Sequence, residues 1–314
     1  MPYRMAALYT KQYQTALNNE VVFLEFLSQL INGLSLGSIY ALIALGYTMV
    51  YGICKMLNFA HGDVIMVGAY MLSIAMATLH FPPFLSILVS MVVCATLGVC
   101  IEKIAYKPLR NASPLAVLIT AIGVSYFLQS SALLLFGSTQ RRVESAINVP
   151  NLQIGAFSIS GNSLITLGVT VVLMVIITWF INNTMTGKAI LAVSEDKGAA
   201  QLMGINVNRT ISVTFLIGSA LAAVAGVLFI SAYGYVGPYT GSMPGIKAFV
   251  AAVLGGIGSV PGAMLGGILL GIIESLSKAY ISTQLSDAIV FGVLIVVLLV
   301  RPNGLLGKKR TEKV

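Results

Sequence analysis

Apolar runs near the length that crosses a bilayer recur along this chain and leave it few folds to choose from. A spanning helix needs about 20 mostly apolar residues, and such stretches lie at roughly 23–50, 62–79, 83–104, 114–136, 163–182, 211–235 and 285–300. Hydrophobic residues make up 57% of the 314 and charged residues only 9%, whereas a soluble domain carries about 25% charged residues. With mean hydropathy at +0.93, the chain cannot cover a water-facing surface. In lipid every backbone group must find its partner inside the protein, and runs of this length do so as helices. The fold class that follows is an all-α polytopic membrane protein, embedded in membrane lipid, with about eight transmembrane or re-entrant helical segments.

The eighth segment, 245–276, is interrupted by GGIGSVPG from Gly255 to Gly262. A lipid-facing helix cannot carry such a break, because the freed backbone groups need protein or water. It reads as two half-helices, near 246–255 and 262–275, that continue across or fold back as a re-entrant pair. Charge favours the second reading. With the N-terminus outside and 245–276 re-entrant from the outer side, the inner face receives Lys55, then Lys103, Lys107 and Arg110, then Lys188, Lys197 and Arg209, then Arg301, Lys308, Lys309, Arg310 and Lys313. That is twelve of the 18 basic residues, the bias expected of cytoplasmic loops. The net charge of +8 thus reads as topology, not as affinity for nucleic acid. The resulting organisation is an N-terminal extension, 1–22, on the periplasmic side, a transmembrane domain, 23–300, and a basic cytoplasmic tail, 301–314. Residues 1–20 contain Arg4, Lys11 and Glu20 and do not resemble a cleavable signal.

Small-xxx-small pairs let helix backbones approach closely, and the chain has several: Gly33 with Gly37, Gly258 with Gly262, Gly262 with Gly266, and Gly267 with Gly271. Plain helix packing explains most of these glycines, but not a Gly–Pro break.

One sizeable polar segment stands apart. Loop 187–209 holds Lys188, Glu195, Asp196, Lys197 and Arg209 and reads as a short amphipathic helix. Leu191, Ala192, Ala199, Leu202 and Met203 fall on one side, and Gly204 is suited to the left-handed position that ends a helix. A structured helix on the face of a membrane protein is a handle for another protein, and the alternative is a solvated loop. A second polar break, Asn58, His61 and Asp63 around Gly62, offers Asp63 either as the N-cap of a helix from Val64 or as part of a half-helix end facing a cavity. The stretches 57–71 and 242–256 echo each other, each placing a break before an apolar half-span. That pattern fits an internal repeat, or chance among Gly- and Ala-rich helices.

The motifs of catalysis are missing. No nucleophile elbow, Walker A sequence or dinucleotide fingerprint occurs, so no catalytic residue is assigned and no cofactor is expected on this chain. His61 and Asp63 lack a third ligand at suitable spacing, and Cys54, Cys94 and Cys100 lie in or beside apolar spans without metal-like spacing.

GLSLGSIYALIALGYTMVYGICKMLNFAHGD (33–63), the polar loop, KAFVAAVLGGIGSVPGAMLGG (247–267) and RPNGLLG (301–307) together resemble the membrane permease of bacterial branched-chain amino-acid ABC importers, the LivH type. The resemblance runs from about Phe26 to Gly307. It implies a multi-pass protein of the bacterial inner membrane that translocates leucine, isoleucine or valine. The implied partners are a homologous second permease, two cytoplasmic ATPases that use the ATP, and a periplasmic amino-acid-binding protein. It also implies that the polar loop is an EAA-like coupling segment, with Glu195, Asp196, Ala199, Ala200, Gly204 and Arg209 in contact with an ATPase. Asn58, His61, Asp63, Lys247, Gly255, Gly256 and Gly258 are then the candidates for the translocation path. Two other readings stay open. One keeps the architecture and imports urea, amides or other amino acids; the other is a stand-alone secondary transporter, for which the spans carry few ionisable residues beyond Asp63, Lys247 and Glu274.

Overall fold

The computed structural model describes residues 2–307 apart from Asn111, Asn148, Gly155 and Ala156, with side chains described from Val22 onward and not for residues 154–158. The tail residues Lys308, Lys309, Arg310 and Lys313 lie outside the described residues. Helix α1 (Pro2–Cys54) is followed by α2 (His61–Ala77), α3 (Pro83–Ile101), α4 (Pro114–Phe136), α5 (Gly161–Asn183), α6 (Met185–Glu195), α7 (Lys197–Leu202), α8 (Val207–Tyr233), α9 (Ser242–Gly255), α10 (Val260–Tyr280) and α11 (Ser286–Val300). Four short strands, β1 (Arg141–Arg142), β2 (Leu152–Ile154), β3 (Phe157–Ile159) and β4 (Tyr235–Val236), form two antiparallel pairs, β1 with β4 and β2 with β3. Among the described residues, six helical stretches are long and apolar enough to span a membrane, and α2, α9 and α11 are shorter apolar helices. The sequence expectation of about eight segments becomes nine, because 245–276 resolves into two helices.

Those two helices fold back on each other. A Cβ at Gly266 would lie 2.1 Å from the Ala251 carbonyl oxygen, and one at Gly255 would lie 1.9 Å from that of Gly262, so α9 and α10 run antiparallel with their backbones in contact. The turn between them uses Gly256 (φ 106°) and Gly258 (φ 95°), conformations that a Cβ disfavours. Ser259 then caps α10 by accepting from the Gly262 N–H (3.3 Å), with Pro261 in the first turn. The expected half-helix near 262–275 is in fact a 21-residue helix, because nothing after Pro261 interrupts it.

A second close seam joins α1 to α10. A Cβ at Gly33 would come within 2.8 Å of Ile272 Cα, one at Gly37 within 2.7 Å of the Ile268 oxygen, and one at Gly271 within 2.1 Å of the Gly37 nitrogen. Association in lipid depends on such approach, since lipid tails are as apolar as leucine. Gly258 sits in the turn, so its proposed pairing with Gly262 is not a helix seam. The antiparallel α1–α10 pairing brings the end of α1, the α9–α10 turn and residues 301–307 to one end of the bundle. There the Leu305 and Leu306 N–H groups donate to the Leu254 and Gly255 carbonyls (2.9 Å each).

Candidate functional site

The two sequence breaks meet. Residues 55–60 are not helical, and α2 begins at His61 with Ala60 as its N-cap. A Cβ at Gly62 would lie 2.7 Å from the Gly241 oxygen and 3.2 Å from Gly245 Cα, so the starts of α2 and α9 touch. Beside this contact is a cavity of about 300 Å³ lined by α1, α2, α4 and α9, with Phe59 from the connector. Among the described residues, Asp63 contributes its one charge, Ser125, Gln129 and Ser242 its neutral polar groups, and Tyr47, Phe59, Ile122, Tyr126 and Ile246 most of the remainder.

Asp63 is not the N-cap that one reading of the sequence assigned. It is the third residue of α2, in a first turn without a side-chain cap, and its Oδ1 accepts from Gln129 Nε2 (2.9 Å). The same amide contacts the Ser125 and Ser242 hydroxyls at 3.2 and 3.3 Å. Ser242 opens α9, and Ser125 and Gln129 come from α4, where they sit one helical turn apart. That i, i+4 spacing is the signal in the sequence that could have found them.

The other path candidates lie elsewhere. Asn58 accepts from the Tyr106 hydroxyl (2.9 Å), a residue in the π turn Glu102–Tyr106 that ends α3. His61 is 1% exposed and packs edge-on against Tyr47, with centroids 4.7 Å apart. Gly255, Gly256 and Gly258 shape the α9–α10 turn, where a Cβ at Gly256 would lie 2.4 Å from the Gly307 nitrogen. Lys247 belongs to a buried ionic cluster. It donates to Glu274 Oε1 (2.7 Å) and pairs with Asp287 Oδ1 (2.7 Å), while Lys278 donates to the same Glu274 oxygen (2.6 Å) and the Tyr40 hydroxyl to the other (2.9 Å). This cluster ties α1, α9, α10 and α11 together. Asp63, with the neighbouring Gly62, is therefore the one path candidate at the cavity.

The polar loop is two helices joined at Asp196. Its backbone there is extended (φ −150°, ψ 113°), and its carboxylate accepts from the Gly198 and Ala199 N–H groups at 2.8 and 3.0 Å, capping α7. The single helix expected from the sequence breaks because this local bonding competes with the α6 ladder. At the far end Gly204 has φ 83°, and the Ile205 and Gly204 N–H groups donate to the Ala200 and Gln201 carbonyls, a Schellman stop. The buried residues are Gly187, Ile190, Val193 and Ala200, whereas Leu202 and Met203 are 91% and 82% exposed. The side that carries Leu191, Ala199, Leu202 and Met203 thus points outward. Glu195, Ala199 and Arg209 are exposed, and Ala200 is buried.

Two anchors hold this end. Thr184 caps α6 by accepting from the Gly187 N–H (3.0 Å), and α6 packs on α5, α1 and α8. Buried Glu102 is paired with Arg110 and accepts from the Ser212 hydroxyl (2.7 Å), while Arg110 also donates to Asn208, which joins the end of α3 to the start of α8.

Residues 29–298 match the family model described as "Branched-chain amino acid transport system / permease component". The chain is 47% identical over 304 residues to the high-affinity branched-chain amino acid transport system permease protein LivH of Escherichia coli (strain K12), covering 93% of this chain and 99% of that one. It is 45% identical over 302 residues to the corresponding protein BraD of Pseudomonas aeruginosa, covering 92% and 98%. It is 32% identical over 286 residues to the probable LivH of Methanocaldococcus jannaschii, covering 86% and 89%. Matching over nearly its whole length, with helices that fit a multi-pass inner-membrane protein, the chain belongs to the permease family of branched-chain amino acid transport systems.

Proposed function

We propose that this chain is the permease subunit of an ATP-driven importer that carries leucine, isoleucine and valine across the inner membrane. The observation that carries the reading is the full-length likeness to LivH and BraD, 47% and 45% identical. The chain works as half of a permease pair on two cytoplasmic ATPases, and a periplasmic binding protein brings the amino acid. The end bearing α6, α7 and residues 301–307 faces the cytoplasm, the side that the twelve-of-18 distribution of basic residues favours.

In this reading the joined pair α6–α7 is the handle that the ATPase grips. Asp196 and the Gly204 stop give it a set shape, Glu195 and Arg209 set its register, and Ala199 lets it seat closely. Leu202 and Met203, exposed on a segment outside the spanning helices, supply an apolar knob for the partner's groove. Movement of α6 passes to α8, on which it packs, and from α8 to α2, where a Cβ at Gly226 would lie 2.6 Å from the Ile65 oxygen. The cavity at the start of α2 then opens alternately to the two sides.

Replacing Leu202 and Met203 together by Glu tests this, since neither packs on the rest of the chain. Uptake of labelled leucine and transport-stimulated ATP hydrolysis should both fall at least tenfold with the permease still in the membrane. Unchanged uptake removes the handle from α7. Leucine uptake that persists without this chain, in a strain lacking other leucine carriers, would sink the assignment as a whole.

A further inference from the structure

Three carboxylates are buried among the described residues that form the core: Asp63, Glu102 and Glu274. Glu102 is paired with Arg110. Glu274 is paired with Lys247 and Lys278. Asp63, 2% exposed, has no ion pair among the described residues; its neighbours are the Gln129 amide and the Ser125 hydroxyl, both neutral.

An unpaired carboxylate at membrane depth is costly and marks a functional site. Gln129 and the positive end of α2 relieve part of that cost, but neither supplies a whole charge. The cavity beside Asp63 can. At about 300 Å³ it lies at the lower end of the range for small-molecule pockets. It sets one anion among Tyr47, Phe59, Ile122, Tyr126 and Ile246. An anion flanked by aliphatic and aromatic walls suits a primary ammonium on an aliphatic chain, and ring faces attract the cation further.

We propose that Asp63 is the counter-ion for the cargo's ammonium group, making the cavity a selecting station inside the permease itself. This rests on the importer reading above and deepens it. Asp63 takes the ammonium, Gln129 is a positioning residue that holds the carboxylate toward the cavity, and the apolar wall takes the side chain. A cargo of the same shape without the amine would leave the carboxylate unpaired and be rejected.

The test uses the full assembly in proteoliposomes, with Cys100, the exposed native thiol, changed to Ser and a reporter thiol introduced by Ile122→Cys on the cavity wall. The rate of labelling by a small methanethiosulfonate is measured with leucine, isopentylamine or isocaproate, the last being leucine's shape without the amine. Leucine and isopentylamine should slow labelling several-fold and isocaproate should not, and Asp63→Asn should abolish both protections. Equal protection by isocaproate overturns the proposal, as does protection that survives Asp63→Asn, or absence of protection by leucine in an assembly that transports it. The isocaproate arm needs no Asp63 variant and decides even where that variant fails to assemble. Failure of the parent assembly to take up leucine would instead remove the cargo assignment, and the isopentylamine arm would still report on the charge.

Discussion

Lys247 shows how a single charge at membrane depth is made tolerable. Its ammonium touches both Glu274 and Asp287 at 2.7 Å, with 7% of its side chain exposed. Removing one partner of a buried pair costs about 3–5 kcal/mol, mainly because a charge is left uncompensated. Lys247→Met should lower the thermal midpoint of the purified assembly by less than that, a loss of about 2 kcal/mol, because Glu274 keeps Lys278 at 2.6 Å and the Asp287 side chain is 43% exposed. Lys278→Met should matter much less, about 1 kcal/mol or below, since Lys278 is 35% exposed on its side chain and Glu274 keeps Lys247. Equal shifts for the two variants would show that burial of the charge is not what sets the cost. The sequence places Lys247 and Glu274 in apolar runs 27 residues apart, which marks both as unusual. It gives no sign that they meet, since that depends on how α9 folds back along α10.

At the scale of elements, helix contacts are set by where glycine sits. A Cβ on Gly271 would meet the Gly37 nitrogen at 2.1 Å, whereas one on Gly123 would find nothing within 4 Å. Gly271→Ala should destabilise by about 1–3 kcal/mol, the usual cost of overpacking, and Gly123→Ala should be neutral or slightly stabilising through helix propensity. Thermal unfolding of the two variants checks this, and a harmless Gly271→Ala would mean that α1 and α10 can separate at no cost. Much of this level was legible beforehand. The Gly33/Gly37 and Gly267/Gly271 pairs carry the spacing of a close seam, and the left-handed stop at Gly204 follows from its place after Leu202 and Met203. The joint at Asp196 was not legible, because an Asp within an amphipathic pattern reads equally as a helical surface residue or a cap until the backbone direction is known.

For the whole molecule, the decisive feature is the number of crossings after α8. Because α9 and α10 form a hairpin, and α8 and α10 both run antiparallel to α1, the end of α8 and the end of α10 lie at the same end of the bundle. Reporter fusions after Gly234 and after Ser282 should accordingly report the same side of the membrane, and opposite sides would contradict the hairpin. The candidate site exists only at this scale. Tyr47, Asp63, Gln129 and Ser242 come from four helices, and the break at each of α2 and α9 lets the two helix starts touch beside one cavity. Of the path candidates read from the sequence, Asp63 stands at that cavity. Asn58, His61 and Lys247 are engaged with Tyr106, Tyr47 and Glu274.

The sequence by itself determined the class, the approximate spans and the special backbone positions, because lipid forces helices of a certain length and glycine alone relaxes the constraint on φ. It also marked the handle as the one polar stretch among apolar ones. Only the tertiary structure decided which buried charges are paired. Two of the pairs, Glu274 with Lys278 and Glu102 with Arg110, are local in sequence, but Lys247 reaches Glu274 from another helix 27 residues away, and the packing of helices brings no cation to Asp63, the one buried carboxylate among the described residues without one.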